Sequence, residues 1–126
     1  MEDEEWLRVG VAAEMAKIDS SDAMSMVDSI FELVQKFCPG RTTVRTKGFL
    51  KKVLTGFSVQ LTRIQLNLDI QNGYVQASKT MLSAGIALKT EAISMDEWTN
   101  QFINELEKEA TQNAQTKAAL QKFLGL

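Results

Sequence analysis

The chain has no histidine, one cysteine, one proline and, from Lys36 to Arg63, no acidic residue. Without histidine, the commonest general base, nucleophile activator and transition-metal ligand are all missing. The lone Cys38 has no partner for an internal disulfide and cannot build a zinc site of the usual nitrogen–sulfur type. A single thiol also suits a reducing compartment. No apolar run approaches the roughly 18–20 residues of a membrane-spanning helix. The opening Met-Glu-Asp-Glu-Glu is acidic where a targeting peptide would be basic. These absences set the expectation of a non-enzymatic cytoplasmic or nuclear protein with no metal, no cofactor and no membrane contact.

What is present is a charge asymmetry. Residues 1–35 hold nine Asp/Glu against two Lys/Arg, and residues 64–126 hold seven against five. Between them lie Lys36, Arg41, Arg45, Lys47, Lys51, Lys52 and Arg63, so a net charge of −2 conceals a dipolar chain. A basic block in an acidic protein points to a docking surface for an anionic partner or to internal pairing with the acidic N-terminal segment.

At 126 residues, 44% of them hydrophobic, the chain reads as one domain, 1–126, able to bury a core. Helical periodicity is read nearly throughout. Leu7, Val11, Met15 and Ile18 define a first helix over about 3–17. Ser20, Ser21 and Asp22 precede a second, about 21–37, with Ala23, Met26, Val27, Ile30, Phe31, Val34 and Phe37 inward and an end at Cys38-Pro39-Gly40. Phe49, Val53, Phe57, Ile64 and Leu68, with Leu50, Leu54 and Leu61 widening the stripe, suggest a third over about 47–71, and a second apolar stripe, Val59, Leu66 and Ile70, marks its later half. After an Asn72-Gly73 turn, two apolar stripes suggest a fourth over about 74–89. Ser94-Met95-Asp96-Glu97 is a capping box opening a fifth, which either stops near Thr111-Gln112-Asn113 ahead of a short sixth, the simpler reading, or continues to about Leu124. The expected architecture is all-α: a compact bundle of five or six helices around a central antiparallel pair, 47–71 and 74–89. A homodimer or higher oligomer would help to cover the double-sided apolar faces.

The candidate site is the basic loop and helix turn formed by Arg41, Arg45, Lys47, Lys51 and Lys52, with the hydroxyls of Thr42, Thr43 and Thr46 beside them. Arginine forks and lysines in this arrangement suit phosphates. With Phe49 and Phe57 assigned to a core stripe, no aromatic is left to stack on single strands, so the expected partner is nucleic acid contacted as a duplex or through its backbone. The loop contains no phosphate-binding glycine motif. The alternative is a protein-binding adaptor, inhibitor or assembly subunit using apolar surface at Trp6, Met24, Phe123 and Leu124. The carboxylates Asp96, Glu97, Glu105, Glu107 and Glu109 read as caps and solvated helix faces, and Cys38 as a packed structural thiol.

Overall fold

The segment Ile64-Gln-Leu-Asn-Leu-Asp-Ile-Gln71 alternates apolar and polar at every step, and it forms a β-strand. The computed structural model describes residues 5–18 and 21–125. Helices α1 (Glu5–Ala16) and α2 (Ala23–Phe37) precede five strands: β1 (Thr42–Lys47), β2 (Val53–Gln60), β3 (Ile64–Gln71), β4 (Tyr74–Ser83) and β5 (Ile86–Ile93). Helices α3 (Met95–Gln112) and α4 (Ala114–Phe123) follow. The strands form one antiparallel meander in the order β1-β2-β3-β4-β5.

This corrects the all-α expectation: the helix pair 47–71 and 74–89 is replaced by four of the five strands and their turns. The reason is geometric. Two residues advance about 200° on a helical wheel. A period-two strand therefore projects onto that wheel as two opposed apolar stripes, the double-sided pattern that suggested central helices.

Alternation divides the sheet into two faces. Phe57, Leu68 and Ala77 pair across β2, β3 and β4, and Val59 pairs with Leu66. This face is buried under the helices. Helix α2 lies on β2, β3 and β4, α3 reaches β4, α1 packs on α3, and α4 packs on α2 and α3. An aromatic group runs through the interface. Trp98 is fully buried, stacks on Phe102 at 5.7 Å between ring centroids and meets Phe57 edge-on at 6.3 Å. Its Nε1–H donates to the backbone carbonyl of Asn67 at 3.1 Å, pinning α3 to the central strand.

The opposite face is polar. Asn67 Oδ1 accepts from Ser58 Oγ at 2.6 Å and Gln65 Nε2 at 2.9 Å, while its Nδ2 donates to Ser78 Oγ at 3.0 Å and Thr80 Oγ1 at 3.2 Å. Side-chain hydrogen bonds thus cross three strands and leave the nearly buried Asn67 and Ser58 satisfied.

The helix ends follow local chemistry. Asp22 accepts from Ser25 N–H and Ser94 from Glu97 N–H, as expected of caps. Asn113 separates the last two helices and accepts from Gln115 and Thr116 N–H. Helix α1 passes close to the C-terminal segment: a Cβ placed on Gly10 would lie 2.7 Å from Leu124 Cδ1.

Both later hairpins turn through positive φ, which matches the right-handed twist of their strands. Asn72 (54°) and Gly73 (81°) suit this conformation, but Ala84 (52°) precedes Gly85 (80°) without asparagine's tolerance for it. Ala84→Asn should therefore stabilise the fold by about 0.5–1 kcal/mol. The check is a higher urea midpoint at unchanged m-value.

Candidate functional site

The five basic residues singled out from the sequence lie on the β1–β2 hairpin and its approach, and the structure divides them into two groups. Arg41, just before β1, sends both guanidinium nitrogens to Glu109 on α3: Nη1 donates to Oε1, and Nη2 donates to Oε2 at 2.7 Å. This fork-to-fork pair ties the start of the sheet to the helix layer. Its hydrogen bonds raise the Arg41 pKa above its ordinary value, against the opposing effect of burial. Arg45 reaches sideways across β2. Nε donates to Asp69 Oδ1 at 2.6 Å, Nη1 to Ser58 Oγ at 2.7 Å and Nη2 to the Phe57 carbonyl at 2.9 Å. Gly56, in register between Arg45 and Asp69, makes this possible. A Cβ there would stand 2.3 Å from Asp69 Oδ1 and 2.6 Å from the Leu68 carbonyl.

Internal pairing thus takes both arginines. Their carboxylates come from α3 and β3 rather than from the acidic N-terminal segment. The lysines differ. Lys47, Lys51 and Lys52 are exposed at the hairpin tip, and none has an ion-pair partner among the described residues. Arg63 lies in the β2–β3 turn, at the other end of the sheet.

The tip is defined by its backbone. Lys47 pairs with Val53, leaving residues 48–52 as the connection. Gly48 has φ +112°, and a Cβ on it would come within 2.1 Å of the Lys51 carbonyl, so this tight return requires glycine. A register shift between Arg45 and Thr46 marks a bulge below the tip, where Thr55 Oγ1 donates to the Arg45 carbonyl at 3.2 Å. Bulges increase local twist and re-aim a hairpin.

Phe49 and Leu50 crown the tip, 95% and 94% exposed. Their earlier assignment to a helical core stripe fails with the helix itself, whereas Phe57 is buried, in the sheet core. The signal available was Gly48 before the apolar pair and Lys51-Lys52 after it, between Thr42-Thr43-Val44 and Val53-Leu54-Thr55, two runs rich in β-branched residues.

The apolar residues considered for protein contact differ in exposure. Trp6 and Leu124 are partly buried against the core, Met24 is 45% exposed on α2, and the side chain of Phe123 lies outside the described residues.

Elsewhere, several carboxylates are engaged in ion pairs. Glu107 pairs with Arg8, Glu105 with Lys108, and Lys79 lies between Glu91 at 3.4 Å and Glu97 at 3.9 Å. No group of three potential metal ligands forms among the described residues. The shallow depressions beside Arg41, of about 290 and 410 Å³, open onto a guanidinium already held by Glu109. Compared with known protein families, characterised proteins and solved structures, the chain matches none.

Proposed function

We propose that this is a non-enzymatic binding protein that docks the tip of its β1–β2 hairpin onto an anionic partner. One observation carries the reading: three lysines without partners among the described residues converge on a projecting tip, and no acidic residue occurs from Lys36 to Arg63. The nearest carboxylate in the sheet register, Asp69, is already held by Arg45. The surface therefore offers positive charge that the fold leaves unneutralised. The dock is narrower than the sequence suggested, because Arg41 and Arg45 serve the structure.

The absence of histidine and the engagement of most of the α3 carboxylates, Glu97, Glu105, Glu107 and Glu109, in ion pairs support a binding role. So does the thiol of Cys38, which is buried and held protonated. Among the described residues, no helix is long and apolar enough to cross a membrane.

The number of charges at the dock can be counted in solution. Binding to duplex DNA, used as a generic polyanion, should weaken with salt with a log–log slope of about −2.7 if three lysines make the contacts. The slope would be about −4.5 if both arginines joined them. Lys47→Glu/Lys51→Glu/Lys52→Glu should abolish binding while leaving the far-ultraviolet circular dichroism unchanged. Binding that persists in this variant would refute the reading.

A further inference from the structure

We infer that the anionic partner is the surface of a phospholipid bilayer, which the hairpin tip enters with Phe49 and Leu50 while Lys47, Lys51 and Lys52 engage the headgroups. The inference rests on the docking reading above and adds to it the chemistry of the partner.

Three observations carry it. First, Phe49 and Leu50 are adjacent, almost completely in water and without a packing role, on a connection whose return is set by Gly48. A bilayer interface would remove both from water together. Second, the charges are concentrated at one level. Lys47, Lys51 and Lys52 fall within six residues of one another, beside the apolar pair, and lysine stems can lie along acyl chains while their ammonium groups reach the phosphates. Third, Tyr74 lies beside the Asn72-Gly73 turn at the same end of the sheet and is 71% exposed. An amphipathic ring at that depth suits the headgroup region.

The same features fit a nucleic-acid groove less well. A ribbon that tracks a groove needs positive charge along its length, but the residues in those positions, Arg41 and Arg45, are tied to Glu109 and Asp69. Leu50 has no flat face on which a base could stack. The earlier expectation of no membrane contact considered spanning helices and placed Phe49 and Leu50 in a core. The fold removes that placement.

The test is co-sedimentation of the full chain with vesicles of phosphatidylglycerol and phosphatidylcholine, three parts to seven, against pure phosphatidylcholine, with duplex DNA as a parallel arm. Each lysine near an anionic surface should strengthen binding about fivefold, so replacing all three by glutamine should weaken it about a hundredfold. Phe49→Ser/Leu50→Ser should weaken vesicle binding at least tenfold, a conservative expectation for partial burial of the two side chains. Circular dichroism should be unchanged, because neither side chain belongs to the core. Tryptophan placed at Phe49 should be quenched by brominated lipid beyond the level of the parent protein.

Vesicle binding that is insensitive to Phe49→Ser/Leu50→Ser, or absence of quenching at position 49, would overturn insertion while leaving the anionic dock intact. Salt-dependent binding to duplex DNA without vesicle binding would overturn the bilayer and identify nucleic acid as the partner. Binding to neither would overturn both readings.

Discussion

Trp98→Ala should cost about 3–5 kcal/mol of stability, the largest loss expected from any single side chain in this fold. Against typical domain stabilities of about 5–15 kcal/mol, that is enough to leave a substantial unfolded population under mild denaturant. Two contributions combine. The substitution opens a void between Phe57 and Phe102, which flank the indole edge-on and face-on. It also removes the donor that reaches the Asn67 carbonyl, the buried bond joining α3 to β3. Trp98→Phe separates the two, because it keeps most of the ring and loses only the donor. Its expected cost is about 1–3 kcal/mol. Urea titration of both variants gives the comparison. A loss below about 1 kcal/mol for alanine would show that helix and sheet are held together elsewhere.

The second large effect is chemical. Cys38, immediately after α2, is 1% exposed, and burial pushes its thiol up to about 12 from an ordinary 9.0; Arg41 lowers it and Glu109 raises it by smaller amounts. Since the thiolate is the reacting species, a shift of this size makes the native thiol about a thousandfold less ionised than a free one near neutral pH. Burial slows reagent access further. Cys38 should therefore resist a thiol reagent in native buffer and react quickly in denaturant. Fast native labelling would contradict the packing around it.

The sign of the associated pH effect follows from the same shift. The unfolded thiol loses its proton above about 9, whereas the native thiol keeps it until about 12. Stability from this group is thus complete below pH 9 and declines as pH rises through that window. Cys38→Ala should flatten the alkaline decline.

Helices α2 and α3 were legible because each has one apolar stripe and a local start signal. Val27, Ile30, Val34 and Phe37 recur at helical spacing behind Asp22, and they are buried on α2. Ser94 marks the beginning of α3 by a hydrogen bond within its own segment, and Asn113 caps α4, whose separation from α3 the sequence left open. The sheet was misread because its alternation also satisfies helical spacing at several positions. Phe49, Val53 and Phe57 are four apart, yet Phe49 crowns the hairpin tip while Phe57 lies in the core. The strict alternation of residues 64–71, followed by Asn72-Gly73, was the stronger signal and indicated a hairpin.

The candidate site was legible in charge but not in partnership. A run without acidic residues located the tip. Which cations remain open depended on Glu109 and Asp69, 68 and 24 residues along the chain from the arginines they hold.

The meander also has a kinetic meaning. Every strand pairs with its neighbour in sequence, so the sheet can grow by closing short loops, each at small entropic cost. Helix α1 faces the opposite problem. Arg8 meets Asn104 and Glu107 across separations of 96 and 99 residues, and Gly10 packs beneath Leu124. Folding should therefore proceed at two speeds, with local zipping of the sheet followed by slow closure of the helical layer. The β1–β2 hairpin belongs to the fast phase, so its tip would form before α1 has docked.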